Sequence, residues 1–260
     1  IRTTMSSKDS AKRFGFEWSK LTEMEKTYEW QFYSWIGPLA PEVFRGKSVL
    51  DAGCGMGRNS YFALSWGAKH VIAFDYDERT VSVARRTLSK FKNARVEYQN
   101  IYNLNYKEEF DLVLCIGVIE HLEDPDAAIA NLVCALKTGG TLLLWVVGND
   151  RKVMISAVNT LRALTSHIPT RLLWYLVYMI SVPFGFALKL LRPKDAYLSH
   201  LAHSSLSHVH GIAFDHLLPI ITRYYDRDSA FKLIDRPGLV DKTIHHTNNN
   251  SWTLVAKKSS

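Results

Sequence analysis

The stretch VLDAGCGMGRN, residues 49–59, decides the fold. Its first half is apolar and reads as a short strand. Its second half breaks into glycines and then opens a helix. Gly53 and Gly55 let the backbone approach a ligand that a side chain would block. The helix N-terminus behind them offers free N–H groups. The G-x-G-x-x-G spacing of a dinucleotide site is not met, because Arg58 stands where the third glycine belongs. Asp51, just before the turn, suits a ligand carrying an ammonium or hydroxyls better than a pyrophosphate.

Outward from this loop, strands and helices alternate. After SVLDAG (48–53) come HVIAFD (70–75), RVEYQN (95–100), FDLVLCIG (110–117) and TLLLWVV (141–147), all of strand character. Helical stretches are expected near 58–66, 77–91 and 125–137, with KTGG (137–140) closing the last. Such alternation predicts an α/β fold, a doubly wound parallel sheet with right-handed crossovers and helices on both faces. LVDKTIHHT (239–247) and SWTLVAKK (251–258) flank the turn residues NNN, which predicts an antiparallel hairpin at the sheet edge. Asp228 is expected to cap a short helix through Leu233. At the N-terminus, Thr22 and Glu25 form a capping box, so a helix is expected from about Glu23 to Trp35; residues 1–20 are polar with scattered aromatics. Three segments follow: an N-terminal helical cap (1–44), a core (45–150 with 227–260), and an insertion after strand five (151–226).

The whole chain of 260 residues is 47% hydrophobic and 22% charged, ordinary globular values that exclude a disordered or fibrous protein. Three unpaired-looking cysteines (Cys54, Cys115, Cys134) argue against a disulfide framework or a Cys-based zinc site and fit a reducing, cytoplasmic compartment. Residues 1–30 carry no apolar signal-peptide core. Of the net charge of +7, the segment 151–226 holds +5. It also holds seventeen consecutive uncharged residues, LLWYLVYMISVPFGFAL (172–188). Basic and apolar together point to a membrane surface or an amphipathic anionic acceptor rather than nucleic acid. We expect a pair of helices joined near Pro183–Gly185, forming a lid whose outer face touches a bilayer peripherally. Seventeen residues stand at the lower edge for a spanning helix.

Asp75 ends the second strand, twenty residues after Gly55, where a carboxylate can accept from both hydroxyls of a ribose. Asn100 ends the third strand and can pair with an adenine edge, with Ile101 against the ring. CIGVIEHL (115–122) reaches the same rim. The ordered set VLDAGCGMG, VIAFD, VEYQN, FDLVLCIGVIEHL and LKTGGTLLL resembles the class I S-adenosylmethionine (SAM)-dependent methyltransferases, specifically over 45–148 and loosely over 227–258. The V-[IL]-E-H motif is similar to that of the ubiquinone-pathway O-methyltransferases. The resemblance implies a Rossmann-like seven-stranded sheet with a reversed final hairpin. It places Gly53 and Gly55 at the methionine end of SAM, Asp75 at the ribose, Asn100 and Ile101 at the adenine, and Ile116 and Gly117 beneath the sulfonium. Asp51, Asn59, Tyr76 and His121 are expected in the same cofactor site, and Trp18 is the N-terminal aromatic expected over it. Asn100 departs from the family, which more often has Asp there.

The expected reaction is methyl transfer from SAM, leaving S-adenosylhomocysteine (SAH), to a hydrophobic small-molecule or lipid-linked acceptor at oxygen. RNA is the less favoured acceptor: the fourth strand does not end in N-P-P-Y or D-P-P-Y, and no surplus cysteine stands ready as a nucleophile. A non-catalytic SAM-binding module is the rival reading. Five of the ten histidines fall within Ser199–His216 (His200, His203, His208, His210, His216), and His208 or His210 is the expected catalytic base. Glu120 and His121 could pair on a divalent metal, but no third ligand is identifiable, so no metal is expected.

Overall fold

The computed structural model describes residues 7–25, 27–194 and 196–260. Seven strands form one sheet in the order β3-β2-β1-β4-β5-β7-β6. They are β1 (Ser48–Ala52), β2 (His70–Asp75), β3 (Ala94–Tyr98), β4 (Phe110–Ile116), β5 (Leu136–Val147), β6 (Leu239–Thr247) and β7 (Ser251–Lys258). The first five are parallel, while β7 runs antiparallel between β5 and β6. Side chains alternate between two cores, as a sheet covered on both faces requires. Leu50, Val113, Cys115 and Leu144 face α5 (Pro125–Ala135) and α10 (Arg227–Lys232). Val49, Leu112, Leu114 and Leu143 face α2 (Thr27–Ile36), α3 (Arg58–Ser65) and α4 (Glu78–Thr87). Strand order reverses between β2-β1 and β1-β4, so the β1 and β4 ends flank the crevice where such sheets bind ligands. The final hairpin turns through Asn248 and Asn249, both at positive φ (52° and 54°), a conformation asparagine tolerates better than most residues.

Several boundaries differ from the sequence reading. A helix the sequence did not suggest, α1 (Ser7–Trp18), precedes the expected one. Its inward stripe is Ser10, Arg13 and Glu17, so the helical period is carried by polar residues and a search for apolar periodicity passes over it. The next helix begins at Thr27 rather than Glu23. The Glu25 carboxylate does not close a capping box; it accepts from the hydroxyls of Ser205 and Thr27. KTGG does not end a helix: α5 stops at Ala135, Leu136 is already extended, and 137–140 form the start of β5. Asp226, not Asp228, caps α10, accepting from the Ser229 N–H at 2.8 Å.

The insertion folds as α6 (Lys152–Thr165), α7 (Thr170–Leu191), α8 (Ala196–His203) and α9 (Leu206–Asp215). The break expected near Pro183–Gly185 is absent: α7 continues through it. Pro183 lies on the outward side, away from the packed stripe, so its missing hydrogen bond disturbs no buried contact. Gly185 serves packing instead. A Cβ there would lie 2.8 Å from Leu206 Cδ2, so the glycine lets α9 approach α7. Leu173 and Val177 of α7 bury against Phe214 and Leu218, with Phe14 and Phe16 of α1 and Trp174 beside them.

Candidate functional site

A cavity of about 690 Å3 opens at the C-terminal ends of β1, β2 and β4 and extends under α1, α6 and α9. Its floor is the glycine turn. The Gly53 and Cys54 N–H groups both donate to the Phe74 carbonyl at 2.9 Å, which ties the turn to β2. Gly53 and Gly55 hold φ of +72° and +54°, and a Cβ on Gly53 would meet Val118 Cγ2 at 2.5 Å. Only glycine meets both demands. Asp75 closes this end: its Oδ2 accepts from Gly55 N (3.1 Å) and its Oδ1 from Asp77 N (3.2 Å). Burial pushes its carboxyl up to about 6, against the backbone hydrogen bonds that pull it down. It is therefore largely ionised at neutral pH and keeps acceptor capacity on the cavity wall.

Of the residues expected in the cofactor site, Trp18, Gly53, Gly55, Asn59, Asp75, Tyr76, Asn100, Ile101, Ile116, Gly117 and His121 all line this cavity. Asp51 does not: it lies beneath the turn, 1% exposed, with Oδ2 accepting from Ser60 Oγ at 2.6 Å. That bond to Ser60 of α3 braces the helix against β1, and burial pushes the Asp51 carboxyl up to about 6 as well. Asn100 Oδ1 accepts from Tyr102 N (3.0 Å), capping a 3-10 turn, which leaves its second lone pair and its amide N–H groups for a base edge. Tyr76 stacks on Tyr98, with ring centroids 5.6 Å apart. Gly117 donates its N–H to the Trp145 carbonyl at 3.1 Å. The His121 Nδ1 lies 2.8 Å from the Ile221 carbonyl and so must carry the proton, leaving Nε2 as the acceptor. Burial holds this imidazole down at about 4, which keeps it neutral. Among the described residues no cluster of three or more His, Cys, Asp or Glu is placed to hold a metal.

The histidine cluster divides. His208 is on the cavity wall, edge-on to Tyr28 at 5.1 Å. His210 is not: its Nδ1 meets Ser181 Oγ at 2.9 Å and its ring packs on Trp174, Tyr178 and Phe214, inside the insertion. Although α9 carries both, residues two apart on a helix point in different directions. His203 Nδ1 donates to the Ser199 carbonyl at 2.7 Å, the His200 side chain lies outside the described residues, and His216 lines the cavity.

Sequence reasoning missed the polar residues of the far half. Glu17, Gln31, Arg162, Asp215 and Tyr224 also line the cavity. Arg58, read only as a missing glycine, turns its guanidinium inward. It donates to Gln31 Oε1 (3.1 Å) and lies 4.8–5.3 Å from the rings of Trp18, Tyr28 and Trp35. Glu17 is 1% exposed and burial holds its carboxyl well above the usual range. Asp215 is raised too, first by burial, with His216, Arg58 and Arg162 opposing. Five buried polar atoms of wall residues have no partner among the described residues: Glu17 Oε2, Asn59 Oδ1, Glu120 Oε2, Trp145 Nε1 and Thr222 Oγ1. Orphans of this kind are costly unless a ligand completes them. Of the N-terminal aromatics, Phe14, Trp18 and Tyr28 reach the cavity, Phe16 and Phe32 pack in cores, and Trp30 and Tyr33 are exposed.

Comparison with known proteins agrees with this architecture. Residues 49–140 match the family described as "Methyltransferase domain". The tRNA U34 carboxymethyltransferase of Campylobacter concisus is 36% identical over 120 residues, 45% of this chain and 41% of that protein. The ubiquinone biosynthesis O-methyltransferase of Aromatoleum aromaticum is 32% identical over 117 residues, 44% of this chain and 49% of that one. The chain thus spans about half the length of the relatives it matches. Among solved structures, magnesium protoporphyrin IX methyltransferase from Synechocystis PCC 6803 with bound SAM superposes over 100% of both chains, with a TM-score of 0.58 and 15% identity. That identity speaks to the fold alone. The sheet order, the glycine turn and the match of residues 49–140 to a methyltransferase domain together support a class I SAM-dependent methyltransferase.

Proposed function

We propose that the chain transfers the methyl group of SAM to an oxygen atom of a hydrophobic small-molecule or lipid-like acceptor. The observation that carries this reading is the continuity of one cavity from the Asp75 carboxylate to a second half walled by Leu21, Trp35, Met154, Ile155, Val158 and Ile212. A donor and an apolar acceptor can share such a space, which is what in-line displacement needs. SAM supplies a sulfonium-bound methyl, and the O–CH3 bond forms as the S–CH3 bond breaks, leaving SAH. The chain's own residues orient the partners. Asp75 accepts from the ribose hydroxyls, the bare backbone at Gly53 and Gly55 admits the methionine end, and the free Asn59 Oδ1 accepts from its ammonium. A hydroxyl acceptor must also lose a proton. Asp215, on the acceptor side with a carboxyl raised by burial, is our choice of base, with His216 beside it in sequence and His208 on the same wall.

A transfer RNA, the substrate class in the name of one relative, has less in its favour, because Leu21, Met154, Ile155, Val158 and Ile212 give the acceptor half an apolar wall beside its polar residues. Methyl-tritiated SAM separates the readings when the protein is incubated in parallel with a lipid extract, a set of phenolic quinols and total RNA. Label in the solvent-extractable fraction supports the proposal. Label in RNA alone would replace it with the nucleic-acid reading. Tight SAM binding with no transfer to any class would make the chain a binding module.

A further inference from the structure

We infer that the outward face of α7 docks on an anionic lipid bilayer, with the helix lying in the plane of the membrane surface. The inference is independent of what the acceptor is.

The helix has two faces. Leu173, Val177, Ser181, Gly185 and Leu188 recur at helical spacing and are buried against α8, α9 and the N-terminal aromatics. On the opposite side Leu172, Tyr175, Leu176, Met179, Phe186 and Leu190 recur at the same period and are exposed, Met179 by 71% and Leu190 by 84%. Isolated exposed apolar side chains are normal, but a stripe running the length of a helix is a contact surface. By length and composition alone α7 could cross a membrane. Its buried stripe argues against that orientation, because a spanning helix would have to leave the protein that packs on it.

Charge selects the occupant. The segment 151–194 contains seven Lys or Arg and no Asp or Glu. Arg171 and Lys189 are eighteen residues apart, about five turns at 3.6 residues per turn, so they edge the apolar stripe on the same side at its two ends. Arg192 and Lys194 follow directly, and all four are exposed. Tyr175 and Tyr178, both exposed, have the amphipathic rings that settle at headgroup depth. A protein partner or a second copy would have to match a wholly basic rim with acidic groups, and the insertion offers no acidic residue along this helix. An anionic headgroup layer matches both the charge and the apolar face.

The test is co-sedimentation of the full chain with phosphatidylcholine vesicles, with and without phosphatidylglycerol. We expect binding to the mixed vesicles, little to the neutral ones, and loss at about 0.5 M salt, where the Debye length shrinks to a few ångströms. The triple change Arg171→Gln, Lys189→Gln and Arg192→Gln should weaken binding by about fivefold per charge removed. Met179→Glu and Leu190→Glu, each on the exposed face, should each abolish it. Circular dichroism melts of the variants, unchanged from the parent, separate loss of docking from loss of fold. Failure to bind mixed vesicles overturns the inference. So does equal binding to neutral vesicles that ignores the triple change. A concentration-dependent dimer that Met179→Glu dissolves, with no vesicle binding, would assign the face to self-association instead.

Discussion

Replacing Asp75 with asparagine keeps the size of the side chain and removes its charge. In the native loop both carboxylate oxygens accept backbone N–H bonds, from Gly55 at 3.1 Å and Asp77 at 3.2 Å. An amide can accept only one of these, so one loop bond is lost as well as one acceptor for the ribose. A hydrogen bond to a charged group is worth about 1.5–3 kcal/mol, and about 1.4 kcal/mol is a factor of ten in affinity. Loss of a single ribose bond therefore predicts about ten- to a hundredfold weaker SAM binding. The parent protein should show a related effect with pH. With its carboxyl pushed up to about 6, Asp75 is mostly ionised at pH 7 and mostly protonated at pH 5. Affinity should fall about tenfold between those values, because only the ionised form accepts from both hydroxyls. Titration calorimetry with SAM and SAH at both pH values, on parent and Asp75→Asn, reads both effects. An asparagine variant that binds within twofold of the parent, with the same pH profile, would show that Asp75 only braces the loop.

The Glu120 carboxyl, pushed up to about 8 by burial, holds its proton in the native state, while the unfolded chain releases it near 4.5. Native stability without ligand should then fall as pH rises from about 5 to 8, at up to about 1.4 kcal/mol per pH unit. Above pH 6.5, where Asp51 and Asp75 no longer contribute, Glu120→Gln should flatten the slope; an unchanged slope in denaturant melts would refute this. Asp215→Asn should lower kcat far more than it raises KM for SAM and should remove the fall of kcat toward low pH that protonation of this base causes, whereas an unchanged profile would exclude Asp215 as the base. His210→Ala should cost about 1–3 kcal/mol of stability through the lost Ser181 bond and ring packing and leave kcat within twofold. Activity should survive EDTA, and a complete loss restored by added divalent metal would return Glu120 and His121 as ligands.

The core was legible because the central strands β1, β4 and β7 are buried on both faces, so their apolar runs are short, continuous and bounded by turn residues. β2, β6 and β7 fall on the residues read for them. The donor half of the cavity was legible for a related reason: its residues sit at strand ends, where sequence order fixes their place. The acceptor half was not, because it is assembled from α1, α6 and α9, which are remote from one another in sequence. Glu17 gives no local signal; its burial depends on α1 lying over α4 and α9. His208 and His210 look equivalent in sequence, and only the packing of α9 on α7 turns one to the cavity and the other to Ser181. Pro183 and Gly185 read as a break, yet the proline faces outward and the glycine admits Leu206.

A crystal structure of the full chain grown with SAH tests the central claim most directly. We predict ribose hydroxyls on the Asp75 carboxylate, the adenine between Tyr76, Asn100 and Ile101, and the sulfur at Ile116 and Gly117, open toward Glu17 and Asp215. SAH bound away from the glycine turn, or with its sulfur walled off from the apolar half of the cavity, would contradict the account.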